Sequence, residues 1–118
     1  MELELYLNVS KPVRAGDSLS VICRATINTS LVDVGIDFKM HLESPQGVNA
    51  SDRVEYTNPG LRLVQKNISY HNISAPNSGL FTCRATMKPS SMNHFLRSAN
   101  ENIAFELTLC KHCDVDYE

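Results

Sequence analysis

The sequence contains no run of 18 or more consecutive apolar residues, so no segment in it reads as a membrane-spanning helix. It also has no block of basic residues, and its formal net charge of −2 argues against a nucleic-acid-binding protein. The first residues lack both the basic start and the continuous apolar stretch of a signal peptide, and we expect Met1 to begin a piece of a longer chain. The length of 118 residues favours one domain, with enough core to bury roughly two thirds of the unfolded surface.

Two cysteines lie in segments that look like half-buried strands. Cys23 sits in the alternating segment 19–25, and Cys83 follows a polar turn, a glycine and Phe81. An aromatic residue two positions before a cysteine resembles the corner that leads into the second-cysteine strand of an immunoglobulin domain. The resemblance implies that Cys23 and Cys83 form a disulfide between two packed sheets.

Alternation of apolar and polar residues predicts further strands, separated by turns at 15–17, 44–47 and 59–60. The first strand should carry Leu3, Leu5, Leu7 and Val9 on one face, and Pro12 should mark an edge or a crossing between sheets. The other predicted strands span about 19–25, 36–42, 61–70, 80–87 and 103–109, with one or two short edge strands within 48–58 and a long loop at 88–100. We therefore predict an all-β, immunoglobulin-like antiparallel sandwich of two sheets in residues 1–110, followed by a linker or tail at 111–118.

A more specific resemblance begins at the third predicted strand. The string Val34-Gly35-Ile36-Asp37-Phe38 resembles the start of the corresponding strand in the third immunoglobulin domain of vascular endothelial growth factor receptors. Ala15-Gly16-Asp17-Ser18-Leu19 and Gly79-Leu80-Phe81-Thr82-Cys83 resemble further motifs of that domain, so the similarity covers about 15–85. The resemblance implies a module that helps to bind a cystine-knot growth factor dimer, alongside neighbouring immunoglobulin domains and without catalysis.

The chain departs from that family in two places. It has no tryptophan, so Met40, or else Phe38, should fill the space beside the disulfide that a tryptophan usually occupies. Phe81 stands where the family has tyrosine, so the corner lacks a hydroxyl group. An alternative interpretation is a generic cell-surface adhesion or recognition domain that has no growth-factor ligand.

Five sequons make each of Asn8, Asn28, Asn49, Asn67 and Asn72 an acceptor for N-linked glycans. So many in a short chain, together with the paired cysteines, favour the secretory pathway and an extracellular location.

The remaining cysteines, Cys110 and Cys113, enclose a lysine and His112. A structural zinc site commonly needs two such pairs, and the chain offers one, so we expect no metal or other cofactor here. The open alternatives are a local disulfide, pairing with a missing segment and an intermolecular bond. The pairing we expect is Cys23–Cys83 with Cys110–Cys113.

Partner binding is expected at loops on one end of the sandwich. Leu31, Val32, Met92 and Phe95 are apolar residues in otherwise polar segments, which is typical of exposed interaction patches, although they could also fold back over the core. The four histidines, His41, His71, His94 and His112, fall in different segments, so they do not suggest a catalytic group. We expect a protein that is not an enzyme.

Overall fold

The computed structural model describes residues 1–10, 12–28, 36–46, 52–58, 61–89 and 99–110, and for 28, 36, 37, 52–58, 61 and 89 it describes the backbone alone. These residues form seven strands and one short 3₁₀ helix. The strands are β1 (Glu2–Leu7), β2 (Leu19–Asn28), β3 (Ile36–Glu43), β4 (Asp52–Asn58), β5 (Leu61–Tyr70), β6 (Gly79–Pro89) and β7 (Ala99–Leu107). The 3₁₀ helix, Ala75–Asn77, lies between β5 and β6.

The strands form two antiparallel sheets. One has four strands in the order β1-β2-β5-β4, and the other has three in the order β3-β6-β7. This is the strand order of constant-type immunoglobulin sandwiches, in which the first, second, fifth and fourth strands form one sheet and the rest the other. The predicted all-β sandwich is confirmed.

The alternation read from the sequence fixes which side of each strand enters the core. On β2 the residues at odd positions are buried, whereas those at even positions with described side chains lie half-buried on the outer face. The buried set from both sheets forms one cluster with Val13 and Ile73. The largest of its completely or almost completely buried side chains are those of Phe81, Ile27, Leu42, Ile73, Val21 and Val64.

A disulfide joins the two sheets through this core. The Cys23 and Cys83 sulfurs are 2.04 Å apart, the Cα atoms are 6.4 Å apart, and both residues are completely buried. The predicted bridge is therefore confirmed. Because each of these cysteines is occupied by the other, neither is a partner for Cys110 or Cys113.

Pro12 was predicted to mark an edge or a crossing between sheets, and the hydrogen bonds on either side of it show a crossing. Strand β1 pairs with β2 in the four-stranded sheet, with Leu7 opposite Val21. After Pro12, the carbonyl of Val13 instead accepts a hydrogen bond of 2.7 Å from the backbone N–H of Cys110, just beyond β7 of the other sheet. The chain thus passes from the four-stranded sheet to the edge of the three-stranded sheet at Pro12. Proline has no backbone N–H group to donate, so it breaks the pairing there.

Three apolar side chains of β3, the strand that usually carries the tryptophan, are buried in the core. Phe38 and Met40 are equally buried, each 8% exposed. The register places Leu42, which is fully buried, directly opposite Cys83. The sequence pattern predicts Met40, or else Phe38, for the position beside the disulfide. Leu42 lies on the same face of β3, in register with the bridge.

Tyr70 packs beside Phe81, the corner residue that lacks a hydroxyl group. Phe81 is completely buried, stacks on Phe105 with ring centroids 5.6 Å apart, and meets the Tyr70 ring edge-on at 6.4 Å. Burial raises the pKa of Tyr70 above its ordinary value, and a hydrogen bond with the Ser44 side chain partly opposes that rise. Because Tyr70 ends β5 and Ser44 follows β3, this hydrogen bond links the two sheets.

The end of the sandwich that carries the 14–17 and 71–78 turns, called the turn end below, is tied together by backbone hydrogen bonds. Gly16 donates to the Ile73 carbonyl at 2.7 Å, and Ile73 donates to the Asp17 carbonyl at 3.0 Å. Gly79, which opens β6, has a φ of +130°, and a Cβ atom there would lie 3.0 Å from the Pro45 Cβ. Glycine is required at that position for both reasons.

Several predicted strand limits were wrong. Strand β1 ends at Leu7, and Val9 lies beyond it with 36% of its surface exposed, so Val9 does not belong to the apolar face. The last strand covers Ala99–Leu107 rather than 103–109, although Leu109 still packs against the core. Strand β6 continues to Pro89, which shortens the loop predicted at 88–100. One or two short strands were predicted within 48–58, and the described residues of this segment form one strand, β4.

Candidate interaction surfaces

The residues predicted to bind a partner, Leu31, Val32, Met92 and Phe95, lie outside the residues that the structure describes. The strands that flank their segments are described. Strand β3 begins opposite the end of β6, with Ile36 in register with Pro89, and Met87 faces Ala99 at the start of β7. Segments 29–35 and 90–98 are therefore both attached at the same end of the three-stranded sheet, which is called the loop end below. The expected contact residues of these two segments stay a prediction.

The acceptor asparagines whose side chains are described lie on the four-stranded sheet or at the turn end. Asn8 and Asn72 are exposed, the first just past β1 and the second in the turn after β5. The Asn8 side-chain carbonyl accepts a hydrogen bond of 2.7 Å from the Ser20 backbone N–H. Asn67 lies in the middle of β5 and is half-buried. Asn28 is the last residue of β2, with only its backbone described, and Asn49 lies outside the described residues.

The outer face of the three-stranded sheet is polar and contains no sequon. Its register aligns Lys39 with Thr86, His41 with Arg84 and Glu43 with Thr82. The His41 Nε2 lies 3.4 Å from a Glu43 carboxylate oxygen, with both side chains nearly half exposed. Such a pair in solvent contributes little to stability, so these groups remain available to a partner.

Two features interrupt this polar face. A shallow depression of about 270 Å³ lies where β6 meets β7, between Arg84 and Asn102. Leu80, near the turn end, is 55% exposed, which is the largest exposure among the big apolar side chains described. A single exposed leucine is common on protein surfaces, so it does not mark a binding site by itself. It does offer a control position far from the loop end.

The outer face of the four-stranded sheet carries a connected series of polar and aromatic contacts. The Arg24 guanidinium lies 5.9 Å from the centre of the Tyr6 ring. The same guanidinium donates to the Gln65 side-chain oxygen at 3.2 and 3.4 Å. Gln65 in turn donates through its Nε2 to the Oδ1 of Asn67 at 3.1 Å. The series thus runs across β1, β2 and β5 and ends at a sequon.

Cys110 is disulfide-bonded. Cys113 and His112 lie outside the described residues, so the local pairing Cys110–Cys113 stays a prediction. Across the described parts of the chain, no group of three or more histidine, cysteine, aspartate or glutamate side chains could hold a metal ion. His71 is exposed in the turn after β5, away from His41 on β3, as the sequence predicted. His94 lies outside the described part.

No described helix is long or apolar enough to span a bilayer. No protein-family model matches the chain, and no curated protein is significantly similar to it.

Proposed function

We propose that the chain is an extracellular recognition module that helps a growth-factor receptor tyrosine kinase, or a soluble form of one, to bind a cystine-knot growth factor. The observation that carries the proposal is the bridged sandwich, with its immunoglobulin-type strand order and its buried Cys23–Cys83 disulfide. This fold serves many recognition proteins, and function resides in the sites that it carries. The growth factor itself is suggested by the resemblance at Val34–Phe38, within the motifs that cover 15–85.

The compartment is part of the same proposal. Disulfides persist in oxidising compartments such as the secretory pathway and the cell exterior. Five sequons on one short chain agree with passage through that pathway. An extracellular module of this kind would present its loop end, where segments 29–35 and 90–98 are attached, to a protein ligand.

Surface plasmon resonance against a panel of cystine-knot growth factors tests the proposal. The variants Leu31→Asp and Phe95→Asp should each weaken binding about tenfold or more, because a buried charge replaces an apolar anchor at the interface. Leu80→Asp is the matched control, since Leu80 is exposed near the turn end of the sandwich. It should leave the affinity unchanged.

The outcomes separate the parts of the proposal. Binding that survives both loop variants but is lost in Leu80→Asp would move the site to the three-stranded sheet. If no growth factor in the panel binds, the growth-factor assignment is wrong. The alternative, an adhesion domain without such a ligand, would then be tested by bead aggregation with this chain as the only coat protein.

A further inference from the structure

One row of residues on the outer face of the four-stranded sheet runs across β1, β2 and β5 to a glycan acceptor, beyond which the register reaches Asp52 on the edge strand β4. Tyr6 on β1 lies directly opposite Ile22 on β2, and Ile22 lies directly opposite Asn67 on β5. All three residues are half-buried. Directly opposed residues have Cβ atoms about 5 Å apart, so Asn67 is next to Ile22 and about two strand spacings, or ~10 Å, from Tyr6. A sugar attached to Asn67 therefore starts beside an incompletely covered isoleucine and within reach of an aromatic ring.

In the folded sheet, the neighbouring side chains hold the Asn67 amide in an orientation that accommodates an attached glycan. Its Oδ1 accepts the hydrogen bond from Gln65, whose own oxygen is held by Arg24, which in turn lies over the Tyr6 ring. N-linked glycans are attached at the other amide atom, Nδ2. The contacts occupy the oxygen and leave the nitrogen to carry the sugar.

The third residue of the sequon, Ser69, makes a contact between strands β5 and β2. The hydroxyl group of Ser69 lies 2.8 Å from the hydroxyl group of Ser20 on β2, within hydrogen-bonding distance. Replacing Ser69 by alanine would therefore remove both the sequon and a contact between strands. Threonine in its place would keep the sequon and the hydroxyl group, so Ser69→Thr is a matched control.

We propose that Asn67 carries an N-linked glycan whose first sugar lies along this row, covers Ile22 and the Tyr6 ring, and stabilises the sandwich. The driving force is the removal of half-exposed apolar surface from water. The inference rests on the secretory passage in the proposed function, but it does not depend on the ligand. The sugar would occupy the outer face of the four-stranded sheet and would prevent proteins from binding there.

The first test is glycopeptide mapping of the chain secreted from cultured animal cells, followed by thermal unfolding. Asn67→Gln should lower the melting temperature by about 2–5 °C relative to the glycosylated wild type. Ser69→Thr should not change it, and neither should Asn72→Gln, which removes a sequon from an exposed turn. Trimming the glycans to a single sugar should preserve the stability, because that sugar makes the contact.

Two further measurements separate the glycan from the side-chain change. When the chain is produced without glycosylation, Asn67→Gln and the wild type should melt at the same temperature. In the secreted protein, Ile22→Thr should remove most of the stabilisation that the Asn67 glycan provides.

The inference is overturned if Asn67 is unoccupied while other sequons carry sugar. It is also overturned if Asn67→Gln and Asn72→Gln have equal effects, or if the glycan stabilises the Ile22→Thr protein as much as the wild type. None of these results would affect growth-factor binding at the loop end, so they would leave the proposed function to be tested independently.

Discussion

The hydrogen bond between Tyr70 and Ser44 gives a sharp test of how the two sheets are held together beside Phe81. Tyr70→Phe removes the hydroxyl group but keeps the ring that packs edge-on against Phe81 at 6.4 Å. Ser44→Ala removes the other partner, which is only 4% exposed. A net intramolecular hydrogen bond contributes about 1 kcal/mol, so each single variant should lose about that much unfolding free energy.

The double variant is the informative measurement. If the two groups contact each other, Tyr70→Phe with Ser44→Ala should cost less than the sum of the single variants, with a coupling energy of about 0.5–1.5 kcal/mol. Urea denaturation followed by circular dichroism would measure it. For a domain of this size, each 1 kcal/mol corresponds to roughly 3–6 °C in melting temperature, so thermal unfolding gives an independent value.

Tyr6→Phe is the control for losing a tyrosine hydroxyl group. Within the described residues, Tyr6 contacts Arg24 through its ring rather than through its hydroxyl group. This variant should change the unfolding free energy by less than ~0.5 kcal/mol. If the effects of the Tyr70 and Ser44 variants were simply additive, the hydrogen bond between the sheets would be refuted.

The other predictions concern the bridge, a glycine and alkaline pH. Replacing both Cys23 and Cys83 by alanine opens a loop of 60 residues, so the unfolding free energy should fall by about 4 kcal/mol; an unchanged urea midpoint would contradict this. Gly79→Ala should cost about 1–3 kcal/mol because of its positive φ and its approach to Pro45, and a variant as stable as the wild type would argue against that conformation. Because the folded-state pKa of Tyr70 is raised, its contribution is fully present below about pH 10 and is lost as the pH rises through the folded-state pKa. Denaturation at a series of pH values should show this loss, and Tyr70→Phe should reduce it; an equal loss in that variant would assign it to other groups.

Much of the fold could be predicted because alternation along a strand reports burial on one side of a sheet. The segments around Cys23, Phe38 and Cys83 each became strands with their apolar residues in the core. The strand ends were less predictable. Val9 continues the apolar alternation of β1 but lies beyond the strand and is exposed, because a local pattern does not show where pairing with the neighbour stops.

The candidate sites were predictable to different degrees. Sequons are local motifs, so the sequence alone placed acceptors at Asn8, Asn67 and Asn72. Which acceptor lies beside exposed apolar surface depends on strand pairing, and only the register put Asn67 opposite Ile22. The predicted contact residues of the loop end, such as Phe95, remain predictions because they lie outside the described part of the chain.

The sequence by itself determined where the strands lie, since a period of two requires no distant information, and its resemblance to an immunoglobulin domain predicted the sandwich and the Cys23–Cys83 bridge. The tertiary structure decided which residues meet in the core near that bridge. Leu42 lies opposite Cys83, and Tyr70 and Ser44 link the sheets beside Phe81. Those contacts join residues far apart in the chain. Their partners are set by how the strands pair and how the two sheets pack, which no local pattern encodes.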